Sequence, residues 1–329
     1  MHGHLELSPR VAALIDRIHV QPGALKAETA GEIYEGETPQ ALSRSLGTAL
    51  YQTLHVGRDK PIDSVRRTWR DPAFDEVLTQ AVGGRHTRLP VRVLAETASG
   101  ATVSMDGVRV RVPAETIDNR AEVQSSDGPR TEATVRIPTS RPGLSPGFFL
   151  TFSSRGPLKA GGALLRLYAR IEDPDAAPEV WRALVDHLED SGVPWQAKIS
   201  SSLELYPRND ALVVYLPRPG WRQAQSCAEL LQSTGLLGEG TSPFAQPITS
   251  SVGCAFEPDD PRPARREMSF GQHRTQVLAD ALVRHALLPV AEAGPVEEIV
   301  AEAFIDAGID PAVPARNLSS PMTDVLRGY

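Results

Sequence analysis

"VPWQAKISSSLELYPRNDALVVYL", residues 193–216, decides the fold class of this chain. Two apolar runs, WQAKIS and ALVVYL, flank a polar turn rich in Ser, Pro, Asn and Asp, so they read as neighbouring strands. In WQAKIS, Gln196, Lys198 and Ser200 fall on one face and Trp195, Ala197 and Ile199 on the other. Lys198, Arg208 and Asp210 interrupt an otherwise apolar stretch. Charge is costly to bury unless it is paired or ligated, so these residues belong to a solvated sheet face or to a site.

The pattern continues on both sides. "LLRLYARI" (164–171) alternates Arg166, Tyr168 and Arg170 against Leu165, Leu167, Ala169 and Ile171. "FFLTFSSR" (148–155) alternates Thr151, Ser153 and Arg155 against Leu150, Phe152 and Ser154, which predicts a third strand with a polar, cation-bearing face. Between them, "DAAPEVWRALVDHLEDSG" (175–192) has helical spacing, with Trp181, Leu184, Val185 and Leu188 on one face and Gly192 as a stop. Further helices are expected at 219–233, in "SFGQHRTQVLADALVRHALL" (269–288) and in "GPVEEIVAEAFIDAGID" (294–310). Some strands are joined by short turns and others through helices. That mixture predicts an α+β fold with a largely antiparallel sheet flanked by helices.

Upstream, Ser8-Pro9 and Thr38-Pro39 each open an amphipathic helix, one through Val11, Leu14, Ile15 and Ile18, the other through Leu42, Leu46, Leu50 and Leu54. A short helix is expected around 72–81. "RLPVRVLAETASGATVSMDGVRVRVPAETI" (88–117) reads as short strands with a hairpin at Asp106-Gly107. Residues 120–147 read as a polar surface loop or lid with one strand at 132–137. Three regions follow: a helical N-terminal region (1–82), a β-hairpin and loop region (83–147) and an α+β core (148–329).

The 329 residues carry a net charge of -7, which excludes a global basic field for nucleic acid. The two cysteines, Cys227 and Cys254, form no CxxC, and no residue cluster suggests a metal or another cofactor. MHGH at residues 1–4 reads as a mobile terminus. No signal-like segment and no apolar run of about 18 residues is present, so the expectation is a cytoplasmic protein without membrane contact.

The helix after Phe270 bears on the choice between solvated face and site. Arg274 falls in the middle of its apolar stripe, with His273 at the edge. Such an arginine is either held in a structural ion pair or bound to an anion. Arginine forks and lysine charges suit phosphate oxygens, so the inward cations together suggest an anion site.

At RLYARI, VPWQAKISS, YPRNDALVVYL and SFGQHR the chain resembles the Hop-A type III effector-like family. "LGTALYQTLHVG" (46–57) and "AFIDAGIDPAVPARN" (303–317) fit it as well, so the likeness extends over nearly the whole chain. The family includes lyase subunits of class V lanthipeptide and thioamitide-type biosynthesis, and is distantly similar to phosphothreonine lyase effectors. The resemblance implies elimination of phosphate from phosphoserine or phosphothreonine of a ribosomal precursor peptide, giving dehydroalanine or dehydrobutyrine. It also implies partner kinase and cyclase subunits and a leader segment on that peptide, which the N-terminal helices or the hairpin at 90–113, within the 83–147 leader-peptide or lid region, are expected to hold in a helical groove or by strand addition. Carried onto this sequence, Lys198, Arg208 and Arg274 match the family's phosphate cage, and Lys198 is the expected base. Arg166 and Tyr168 stand where the effectors carry a Lys-x-His pair, so that mechanism does not transfer whole. Arg166, Arg208 and Arg274 are expected to hold phosphate, with Tyr168 and His273 as proton donors and Tyr215 and Arg170 as secondary candidates. The competing expectation is a non-catalytic subunit that only binds the precursor peptide.

Overall fold

The computed structural model describes residues 6–61, 70–105, 107–126, 128–158, 161–289 and 291–324. Among these residues, helices and strands are present in similar amounts, with all strand pairing antiparallel and divided among three open sheets, and the fold is α+β.

The N-terminal region is less helical than its sequence suggests. α1 (Pro9–Ile15) is followed by a three-stranded sheet of β1 (His19–Val20), β2 (Lys26–Thr29) and β3 (Glu32–Glu35). The β2–β3 turn is made by Ala30 and Gly31, both at positive φ. Alanine is a poor residue for that conformation, which is why the hairpin carries no clear turn signal. α2 (Pro39–Leu50) then starts where expected, with Thr38 accepting a hydrogen bond from the Ala41 amide at 3.1 Å. Its last turn continues as a π-helical segment, Tyr51–His55, before α3 (Pro72–Val82).

Residues 86–138 form a five-stranded sheet: β4 (His86–Thr97), β5 (Gly100–Met105), β6 (Val108–Pro113), β7 (Ile117–Ser125) and β8 (Gly128–Pro138), in the order β6-β5-β4-β8-β7. The surface loop expected over 120–147 is therefore most of a hairpin, whose second strand contains the one expected at 132–137, and a further strand over 140–145. Asp106, half of the expected hairpin turn, lies outside the described residues; Gly107 beside it has φ +80°. The sheet has its own small core of Val91, Ala101, Val103, Val112, Ala133 and Val135.

The main sheet has seven strands in the order β14-β15-β11-β13-β12-β10-β9. They are β9 (Ser140–Ser145), β10 (Phe148–Phe152), β11 (Leu165–Ile171), β12 (Gln196–Ser200), β13 (Arg208–Leu216), β14 (Gln246–Pro247) and β15 (Val252–Phe256). The opening stretch behaves as read, because β12 and β13 pair antiparallel, with Lys198 opposite Val213. One face is apolar and is covered by α4 (Ala177–Asp190) and α5 (Gln223–Ser233); Trp181 meets Phe149 edge to face, and Trp221 meets Phe256. Burying side chains of this size stabilises by about 1.5–3 kcal/mol each. The other face receives α2, its π-helical extension and α6 (Phe270–Leu287), with α7 (Val296–Asp306) packed behind α6.

The strand register corrects one phase. Leu150 pairs with Lys198 and Phe152 with Gln196, so β10 contributes Phe148, Leu150 and Phe152 to the face that carries Lys198. Thr151 and Ser153 are buried, Thr151 on the opposite face beside Ala197, and do not join the cations.

Two glycines allow the layers to meet. A Cβ on Gly271 of α6 would collide with the imidazole of His55. Gly57, at φ +80°, ends the π-helical segment where a Cβ would strike the side chain of Asn209. Both close approaches seat Tyr51 and His55 over the sheet.

Candidate active site

Cross-strand pairs place Arg166 beside Tyr215, and Tyr168 beside Val213, which in turn faces Lys198. Arg166, Tyr168, Tyr215 and Lys198 thus share one face across three adjacent strands. Arg208 enters at the start of β13, where the register with β11 shifts between Ala169 and Ile171 and β13 carries the extra residues.

The charged groups are not equivalent. Arg208 is buried and forked onto Asp210, with Nε 2.6 Å from Oδ1 and Nη2 2.9 Å from Oδ2. Its Nη2 also lies 3.5 Å from the Tyr51 hydroxyl. Arg166 is buried and donates through Nε and Nη2 to both oxygens of Glu257, and its guanidinium lies 4.8 Å from the centre of the Tyr215 ring. Burial alone would push both guanidinium groups down; tyrosine oxygens and the two carboxylates outweigh it and keep them charged. Lys198 is different. Its ammonium rests 4.1 Å from the centre of the Phe148 ring, the ring that Arg208 approaches at 4.9 Å. It makes no hydrogen bond or ion pair with any described residue.

Tyr168 is 4% exposed, stacked on Phe270 and edge-on to His55. Its hydroxyl has no hydrogen-bond partner among the described residues, and burial pushes its pKa up. The Arg166 guanidinium beside it opposes that rise, and the neutral hydroxyl is a buried donor without a described acceptor.

His55 and Tyr51 complete the cluster. His55 Nδ1 lies 3.0 Å from Ser242 Oγ, and Nε2 lies 3.6 Å from Asp210, beyond hydrogen-bond range. Burial first, then Arg208, Arg166 and Lys198, push its pKa down to about 4 against the pull of Asp210, so the ring is neutral at pH 7. Burial would raise Asp210, but Arg208, His55 and Lys198 hold it at about 2. Burial and Asp210 push Tyr51 up to about 12.

Three predicted site residues are placed differently. Arg274 is fully buried and saturated: Nε donates to Pro314 O at 2.9 Å, Nη2 to Asn317 Oδ1 at 2.8 Å and to Arg316 O at 3.2 Å, and Nη1 to His273 Nδ1 at 2.8 Å. Its guanidinium lies over Phe270, 4.8 Å from the ring centre, and burial pushes its pKa down to about 9. It fastens the 314–317 segment to α6 instead of facing Lys198. His273 donates from Nε2 to Asp260 Oδ2 at 2.9 Å, and burial and Arg274 push it down to about 4. Arg170 binds Glu172 at 3.0 Å and Asn209 at 2.8 Å at the end of β11.

Sequence reasoning passed over Tyr51, His55, Glu257 and Phe148, and noticed Asp210 without giving it a role. Tyr51 and His55 are four residues apart in a helical segment, so their sharing a face was available as a signal. π-helical turns of this kind are frequent at functional sites.

The HopA1 effector protein family matches residues 139–316. The chain belongs to this family. Arg166, Tyr168, Lys198, Arg208, Asp210, Tyr215 and Glu257 lie inside the matched span, whereas Tyr51 and His55 come from outside it. Among solved structures, the HopA1 member is similar to the effector protein from Pseudomonas syringae pv. tomato strain DC3000, at 17% identity and a TM-score of 0.40, over 52% of this chain and 62% of that one. It is also similar to the effector protein from Pseudomonas syringae pv. syringae strain 61, at 16% identity and a TM-score of 0.39, with the same coverages of 52% and 62%. It therefore spans less than two thirds of either effector's length. No curated protein matches.

Among the described residues, no group of three or more His, Cys, Asp or Glu is placed to hold a metal ion, and no helix is long and apolar enough to cross a membrane. MHGH lies outside the described residues, apart from which Cys227 and Cys254 are buried free thiols.

Proposed function

We propose that the chain is a phosphoserine/phosphothreonine lyase acting on a ribosomal precursor peptide. The observation that carries this reading is Lys198, an unpartnered amine beside a guanidinium already oriented by its own carboxylate. In the proposed step, Lys198 in its amine form takes the α-proton of the phosphorylated residue. The C–H electron pair becomes the Cα–Cβ double bond, the Cβ–O bond breaks, and phosphate leaves with that electron pair. The product is dehydroalanine or dehydrobutyrine.

Arg208 and Arg166 receive the phosphate. Each spends Nε and Nη2 on a carboxylate, leaving Nη1 without a described partner for a phosphate oxygen. Pairing lowers the net charge of the cage, which favours release of the product phosphate over tight retention. The buried Tyr168 hydroxyl donates to the departing phosphate or to the substrate carbonyl as charge develops there. Tyr215 supports Arg166 from below. Neutral His55 packs edge-on against Tyr168 and is held by Ser242; Arg274, His273 and Arg170 act on the scaffold. The substrate's phosphate must come from a kinase working upstream, and the alkene product suits a cyclase partner. The cytoplasm is the natural setting for that sequence of reactions.

A second reading, a non-catalytic precursor-peptide-binding subunit of the same complex, is favoured by the complete pairing of both site arginines. Incubating the protein with a phosphothreonine precursor peptide separates the two. The lyase releases phosphoric acid, seen as a mass loss on the peptide, and Lys198→Ala lets phosphopeptide accumulate. The binding subunit retains phosphopeptide with or without Lys198.

A further inference from the structure

The five-stranded sheet ends at Pro138, one residue before the family match begins, and has a core separate from that of the rest of the chain. It lies outside the family-matched span, and its two edges differ. The β7 edge is guarded. Its register shifts between Asp118 and Ala121, Asn119 sits at φ +45°, Asp118 pairs with Arg136 at 3.1 Å and Arg120 with Glu96 at 3.5 Å. Bulges, prolines and charges are how edge strands avoid pairing with other chains.

The β6 edge has no bulge, and its charges, Arg109 and Arg111, are both of one sign, so they repel a cationic strand and not an acidic one. It runs in unbroken register along β5, from Gly100 opposite Pro113 to Met105 opposite Val108. Val108, Val110 and Val112 lie on the core side, and Val108 is 62% exposed. Arg109 and Arg111 point to the outer side, beside Ser104 and Thr102. Arg92 on β4 shares the row of Ser104 and Arg109. Arg92, Arg109 and Arg111 form no ion pair with a described carboxylate; Glu132, opposite Arg92, is held by Arg130 at 2.6 Å, and Arg111 donates to Ser99 Oγ at 3.2 Å. A row of unpaired arginines on a chain of net charge -7 is a local feature, not a consequence of overall charge.

We infer that β6 accepts an added strand from a partner peptide whose residues alternate acidic and apolar. The acidic side chains lie over Arg109, Arg111 and Arg92, and the apolar ones extend the Val108–Val110–Val112 row. The inference does not depend on the lyase reading, because it concerns a surface outside the family-matched span.

The test is fluorescence anisotropy with the full-length protein and three kinds of labelled heptapeptide: alternating Glu and Val, alternating Lys and Val, and the Glu/Val peptide N-methylated at either alternate set of amides. The Glu/Val probe should bind at least about tenfold more tightly than the Lys/Val probe, and the Arg109→Glu/Arg111→Glu variant should reverse that order. One methylated probe should lose binding and the other keep it, because an added strand pairs along one edge only. Equal binding of both methylated probes and the parent would mean diffuse charge attraction and would overturn the proposal. Unchanged Glu/Val affinity in the double variant, with an unchanged thermal melt, would overturn it as well.

Discussion

The two larger sheets place arginines in opposite situations. In the seven-stranded sheet, Arg166 and Arg208 are buried, and each is forked onto a carboxylate. In the five-stranded sheet, Arg92, Arg109 and Arg111 stand at the surface without a described acidic partner. The difference follows from solvation. Water supports an exposed guanidinium without help, whereas a buried one must bring its counter-charge with it. Inside the main sheet Arg166 and Arg208 are therefore positioned donors of low net charge, whereas on the β6 side of the five-stranded sheet Arg92, Arg109 and Arg111 keep their full charge; Arg120, Arg130 and Arg136 elsewhere on that sheet are paired. Lys198 combines the two: it lies within the cluster, against an aromatic ring, yet has no ion-pair partner among the described residues.

Removing a buried counter-charge should break the contrast most severely. Asp210→Ala leaves Arg208 buried and uncompensated, and should cost about 3–5 kcal/mol, read as a lowered urea midpoint. A loss near zero would mean that Arg208 reaches water.

Acidification should act next. His55 and His273 have folded pKa values of about 4 against an ordinary 6.5. Between those values the unfolded chain takes up protons that the folded chain refuses. Stability is therefore complete above pH 6.5 and falls as pH drops toward 4, on the order of 3 kcal/mol per histidine. Asp210, held at about 2, adds its own loss only below the ordinary carboxylate range. Urea midpoints at pH 7, 5.5 and 4.5 measure the slope, and His55→Gln should flatten it.

Tyr168→Phe sharpens the same distinction within the site. Because the hydroxyl has no described partner, its loss should leave stability unchanged or raise it by about 1 kcal/mol. Phosphate elimination should nonetheless slow by roughly ten- to a hundredfold, the usual scale for a lost donor. The smallest effect belongs to the surface: Arg109→Glu/Arg111→Glu should change thermal stability by less than about 0.5 kcal/mol while changing peptide choice.

The α+β class and the β12–β13 pairing were legible because Lys198 and its neighbours alternate, and alternation survives wherever one sheet face differs from the other. β15 was passed over for the converse reason: Val252–Phe256 is buried on both faces, so it has no alternation to read. Of the hairpin over 117–138 only the strand at 132–137 was legible, and the rest of 120–147 reads as a loop or lid because most of its outward side chains are polar. At the site, strand period placed Lys198, Arg166 and Tyr168 on polar faces, and the family resemblance, not period, singled out Arg208 and named the ligand. Arg274 looked like an anion ligand because an arginine in an apolar stripe needs a partner. That partner is a set of main-chain and amide oxygens about 40 residues further along, which helix spacing does not reveal. His55 comes from a helix more than 150 residues before Asp210, and only the packing of Gly271 and Gly57 brings it there.

The central claim is that the unpartnered amine of Lys198 removes a proton while paired arginines take the phosphate. Mass spectrometry of a phosphothreonine precursor peptide, incubated with the wild-type protein and with Lys198→Ala, tests it most directly. The account predicts loss of phosphoric acid with the wild type and a rate about 10²–10⁴-fold lower with Lys198→Ala, at unchanged thermal stability. Equal elimination by a folded Lys198→Ala protein would contradict it.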